Sequence, residues 1–172
     1  MKHLQFPIGE FQYPSEVRPE LRQIWISEIE GLPKQISELL QSVTEVELET
    51  PYRPEGWTVR QVVHHLADSH INSLTRFKLA LTEDSPTIRP YLEHLWAELP
   101  DGKHYPIENT LSLLHALHAR WVFLLKNIPD EAFEQRRFYH PENKSYMSLS
   151  QALAMYAWHG KHHLAHIALV VK

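Results

Sequence analysis

Cysteine is missing from this chain of 172 residues. Its absence removes disulfides, thiolate nucleophiles and thiolate-held zinc together, so nitrogen and oxygen must hold any bound metal. No apolar run approaches the roughly 18–20 residues that span a bilayer. The N-terminal MKHLQFPIGEF lacks the basic start, apolar middle and small-residue cleavage site of a signal peptide, and a cytoplasmic location is expected. Glycine is scarce, with 5 residues, and there is neither a G-x-G-x-x-G nor a P-loop, so nucleotide cofactors are not implied. The formal charge of -4 includes no Lys/Arg block, which argues against nucleic acid and anionic membranes as partners.

What is present is ordinary globular composition, 43% hydrophobic and 22% charged. That suits one domain over residues 1–172 and is rather short for two. Four long segments have helical spacing. The first runs from about Glu16 to Val43, with Leu21, Ile24, Trp25, Ile29, Leu32, Ile36, Leu39 and Leu40 as its stripe, and Gly31-Leu32-Pro33 as a place to kink or split it. The second starts after Thr58, whose spacing to Gln61 has the capping-box form, and ends near Leu81. The third covers about Ile107 to Asn127 and is stopped by Pro129. The fourth starts at Ser148, again with a glutamine three residues on. The connections TPYRPEGW, TEDSPTIRPY, LPDGKHYP and FYHPENKSYM are polar and rich in turn formers, and RRFYHPENKSYMS could make a short hairpin. The expected fold class is all-α, a four-helix bundle with long crossover loops.

The conspicuous stretch is WHGKHHLAH, residues 158–166, which carries four of the chain's 13 histidines. With each residue turning about 100° around a helix, Ala152, Leu153, Tyr156, Leu164, Ile167, Val170 and Val171 share one face. His163 lies within that face, His159 and His166 lie on its edge, and His162 points toward solvent. His159 and His163 therefore form an H-x-x-x-H pair able to meet one cation. Gly160 follows His159 where zinc proteases have a catalytic glutamate, which excludes that chemistry. A third ligand must come from elsewhere, and VVHHLADSH in the second segment offers His64, His65, Asp68 and His70. Periodicity puts His70 in the middle of the apolar stripe, His65 on its flank and His64 away from it, so it nominates His70 and does not select His65.

Taken together, PIGEF, TPYRPEGWTVRQVVHHLADSH, FYHP and WHGKHHLAHI resemble the YfiT-like metal-dependent hydrolases of the DinB superfamily, in order and spacing from Pro7 to Ile167. The resemblance implies a four-helix bundle holding one divalent metal per chain through three histidines. By position they are His65, His159 and His163. Zinc is the expected ion, with nickel able to replace it. His70 and His166 become candidates for lining the pocket or relaying protons, and Asp68 for a surface or supporting role.

Three neutral imidazoles leave a divalent cation its full charge and open positions, as in catalytic rather than structural sites. Such an ion polarises a carbonyl and acidifies a bound water, or deprotonates a thiol. Three readings follow: a hydrolase of a small molecule, a transferase using a low-molecular-weight thiol such as bacillithiol, or a non-catalytic metal-binding bundle. A homodimer is also implied by the resemblance, and the apolar surplus of the first segment suits a partner face unless PIGEFQYP folds back over it. His115 and His118 read as ordinary helix-surface or boundary residues. Trp25, Trp57, Trp121 and Trp158 read as packing, and Arg60, Arg76 and Arg89 as solvated surface cations or anchors for an anionic group.

Overall fold

A computed structural model describes residues 2–171. After the short α1 (Lys2–Gln5), four long helices carry the fold: α2 (Pro19–Leu39), α4 (Val59–Thr82), α7 (Ile107–Lys126) and α9 (Leu149–Ala168). Between them lie α3 (Glu45–Leu48), α5 (Glu93–Trp96), α6 (Pro100–His104), α8 (Asp130–Gln135) and a hairpin of β1 (Arg137–His140) with β2 (Ser145–Ser148). The capping boxes form as the sequence implies, with Thr58 against Gln61 and Ser148 against Gln151. Three connections contain short helices that periodicity does not detect. One has its own capping box, Thr44 with Glu47, and another begins with Pro100 in its first turn.

Pro33 does not split α2, which continues through it to Leu39. The cost is local: Pro33 has no N–H, so the carbonyl of Ile29, four residues back, receives no intrahelical bond from it.

Both α2 and α4 pack against α7 and α9. The consecutive helices α2 and α4 thus occupy one diagonal of the bundle, and α7 and α9 the other. Only long connections can join helices across a diagonal, and residues 40–58 and 127–148 do so.

Two apolar clusters fill the interior. One gathers Trp25, Ile26, Ile29, Leu74, Phe77, Trp121 and Leu153, and the other Leu32, Ile36, Val63, Leu66, Leu114 and Ile167. On every long helix the boundary between the clusters falls in a short interval: 29–32, 67–74, 114–117 and 157–167. Most of the buried histidines occupy that level.

Several expectations need correction. Ile24 belongs to the surface at 54% exposure, and Ile26 takes its place in the core. With Trp25, Ile29, Leu32, Ile36 and Leu40 also buried, α2 keeps little apolar surplus. The N-terminal segment does fold back: the Tyr13 hydroxyl donates to Ser150 at 3.2 Å and its ring packs on Trp25. Arg60 and Arg76 are not solvated. Arg60 is paired with Glu45 and Glu49, and Arg76 donates to the Tyr156 hydroxyl, while Arg89 is exposed. No helix among the described residues is long and apolar enough to cross a membrane.

Candidate metal centre

One ring nitrogen from each of His65, His159 and His163 lies within 4.8 Å of the others. The i,i+4 spacing places the α9 pair one turn apart, and α4, packed alongside, presents His65 toward them. Nε2 of His65 and Nε2 of His159 face each other at 3.3 Å. The side of His65 is fixed by Trp57, whose ring centroid lies 4.6 Å from its own. Gly160 allows this close assembly of α9 and α2, since a Cβ there would come 2.6 Å from Cδ2 of Leu32.

The donor set suits a divalent ion. Removal from water holds His159 and His163 well below the ordinary imidazole range, with neighbouring rings adding to the effect. Burial alone pushes His65 down to about 4. All three rings are therefore neutral at pH 7 and offer lone pairs, as metal coordination requires. They border a cavity of about 420 Å³ whose wall includes Tyr52, Arg53, Trp57, Glu93 and Trp158. A larger depression, near Tyr13 and Arg22, is lined by none of these histidines.

A second set of histidines packs behind the three. Nε2 of His70 lies 3.2 Å from Nδ1 of His159, and Nδ1 of His70 lies 2.8 Å from Nε2 of His118. Nδ1 of His118 meets the carbonyl of Ile29 at 2.6 Å. On the other side, Nδ1 of His166 is 3.3 Å from Nδ1 of His163, and its Nε2 is 3.1 Å from the carbonyl of Gln5. His166 is also stacked on Tyr52, with 3.9 Å between centroids.

Periodicity correctly gives His70 a fully buried place, and that place is beside the three rather than among them. His118 was expected at the surface or boundary, yet it is 1% exposed. Its neighbour one turn back, His115, does stay exposed, bonded to Ser37. His162 does not face solvent: it lies between Trp158 and Phe6, because the N-terminal segment, through Gln5 and Phe6, packs on the part of α9 that a lone helix would expose. His64, though off the apolar stripe, is buried too, bonded to Thr110 and the carbonyl of Tyr105 on the side facing α7. Asp68 is half-buried, and loss of water around it, with Asp101 nearby, raises its carboxyl to about 6. The helical wheel could reveal neither His118 nor His162, because both are buried by elements distant in sequence.

Comparison with known proteins agrees with this architecture. The profile of the DinB superfamily matches residues 28–167. The chain is 48% identical over 165 residues to the Bacillus subtilis protein carrying the name "Putative metal-dependent hydrolase YfiT", covering 96% of this chain and 92% of that one. A Bacillus cereus (strain 03BB102) relative, likewise named a metal-dependent hydrolase of putative standing, is 49% identical over all 172 residues, 98% of its own length. The solved structure of Bacillus subtilis YfiT, described as a probable metal-dependent hydrolase with an unusual four-helix bundle topology, superposes with a TM-score of 0.93 at 48% identity, covering 96% of this chain and 94% of that one. The diagonal placement of successive helices, the bundle and the sequence agreement lead to one assignment: this chain belongs to the DinB superfamily.

Proposed function

We propose that the protein is a metal-dependent hydrolase of a small molecule, with His65, His159 and His163 as the ligands of one divalent ion. The observation that carries this reading is the convergence of three neutral imidazole nitrogens, a donor group with no carboxylate among the described residues, beside an open cavity. Zinc is the ion that suits such a set, and nickel binds similar sites. When bound, the ion supplies Lewis acidity, polarising a carbonyl and bringing water toward ionisation at neutral pH. The chain's own residues do the rest. Trp57 and Trp158 give the cavity apolar walls that lower the local dielectric, and Arg53, at 5.5 Å over the Tyr52 ring, offers a cation at its rim. A cytoplasmic home, and a homodimer on the strength of the family resemblance, belong to the same reading.

The test uses untagged protein. Elemental analysis should find close to one zinc or nickel ion per chain, and a panel of small esters and amides should contain a substrate hydrolysed only by loaded protein. Turnover that appears only when a low-molecular-weight thiol is added would replace hydrolysis with thiol transfer. Negligible metal content would sink both.

A further inference from the structure

The histidines behind the candidate ligands form two chains, and each chain ends on a main-chain carbonyl that its own helix leaves free. Pro33 gives the carbonyl of Ile29 no N–H partner, and the Gln5 carbonyl lies in the last turn of α1, where carbonyls lack intrahelical partners. A carbonyl oxygen only accepts, so the ring nitrogen facing it must carry the proton.

We propose that these two relays, Ile29–His118–His70–His159 and Gln5–His166–His163, act as positioning devices that fix the proton of both α9 ligands on Nδ1 and leave Nε2 for the metal. The assignment follows bond by bond. His118 donates from Nδ1 to Ile29, which leaves its Nε2 an acceptor. His70 must then donate from Nδ1, and its Nε2 in turn accepts from Nδ1 of His159. His166 donates from Nε2 to Gln5, so its Nδ1 accepts from Nδ1 of His163. Every ring is neutral and carries one proton, and both nitrogens of His70 and His166 are committed. All three supporting rings are packed out of water, at 0–1% exposure, where a neutral ring is favoured over a charged one.

Supporting groups of this kind are commonly carboxylates. Here they are uncharged, so they orient the ligands without offsetting the charge of the ion. His70 and His166, candidate proton carriers by sequence, become positioning residues. His118 makes the same contribution one ring further back.

The inference rests on the metal reading above, and the experiment separates the two. Nitrogen-15 NMR of histidine-labelled protein, both metal-free and zinc-loaded, should place single protons on Nδ1 of His70 and His118 and on Nε2 of His166 at pH 7. Zinc affinity, measured by chelator competition, should fall roughly 10–100-fold in His70→Leu and in His166→Leu. His166→Asn, whose amide oxygen can replace Nδ1 as acceptor, should bind about tenfold more tightly than His166→Leu. A proton on the opposite nitrogen of His70 or His166, unchanged affinity in His166→Leu, or an asparagine variant as weak as the leucine one would overturn the proposal. Failure of the unaltered chain to take up zinc overturns the metal reading instead, while the ring assignments are still decided on metal-free protein.

Discussion

The two apolar clusters and the inner histidines between them are equally dry. Phe77 and Trp121 are fully buried in one cluster, Leu66 and Ile167 in the other, and between them His70 is fully buried while His118 and His166 are 1% exposed. The clusters hold by area and close packing, which are non-directional and tolerate exchanges that conserve volume. In the histidine level His70, His118 and His166 are each held by two directed bonds, and a change of shape without a change of volume is enough to break one. The same bundle thus contains material that resists substitution in proportion to size and material that resists it according to where one proton sits.

Removing a ligand should separate the regions most sharply. His65→Ala, His159→Ala and His163→Ala should each abolish stoichiometric zinc while circular dichroism still reports a helical bundle, because the clusters do not depend on them. A variant that unfolds as it empties would erase the distinction. Truncation within a cluster should do the converse. Phe77→Ala should cost about 3–5 kcal/mol of unfolding free energy, measured by denaturant titration, and the fraction still folded should keep its metal.

Acid should act on the histidine level first. His65, His118 and His162 have folded values of about 4 against 6.5 when free. Between those limits the unfolded chain binds protons that the folded chain refuses, so stability is full above pH 6.5 and declines as the pH falls toward 4. Asp68 opposes this, since its raised value lets the folded form take a proton first between about 6 and 3.8. With more histidines than carboxyls shifted, the melting temperature of metal-free protein should drop from pH 7 to pH 5. A flat profile across that interval would mean that the rings are already charged or solvated.

Smaller effects sharpen the comparison. Pro33→Ala gives α2 the missing N–H and a competitor for the Ile29 carbonyl, so zinc affinity should weaken by a few-fold, within the roughly 10–100-fold ceiling for outer groups, although α2 carries no ligand. Chelator competition would show it, and an unchanged constant would mean that His118 does not need that carbonyl. Gly160→Ala gains helix propensity of about 1 kcal/mol but presses on Leu32, costing about 1–3 kcal/mol. Net destabilisation should be modest by thermal melting.

Helices, capping boxes and the hairpin were legible in the sequence because each depends on residues within a few positions of one another. The His159–His163 pair was legible for the same reason. His65 was not legible by periodicity, since its direction is decided by α9 and Trp57 rather than by α4 alone, and only the family resemblance singled it out. His118 and His162 were hidden for a related reason: one is buried where α7 packs between α2 and α4, the other by Phe6 of the N-terminal segment lying against α9. Ile24 and Ile26 show the finer limit, because a wide apolar stripe does not say which of two close neighbours faces inward.

The diagonal arrangement of successive helices has a consequence for how the chain acquires its shape. Of the three pairs of consecutive long helices, only α4 and α7 become neighbours, so α2 cannot collapse onto the helix that follows it as in an up-and-down bundle. Its partners arrive late, after most of the sequence has been made, and residues 2–9 must wait for α9. A high average separation between contacting residues slows folding. Refolding from denaturant should therefore be slow for an all-helical chain of this length, with the three candidate ligands meeting only near its end.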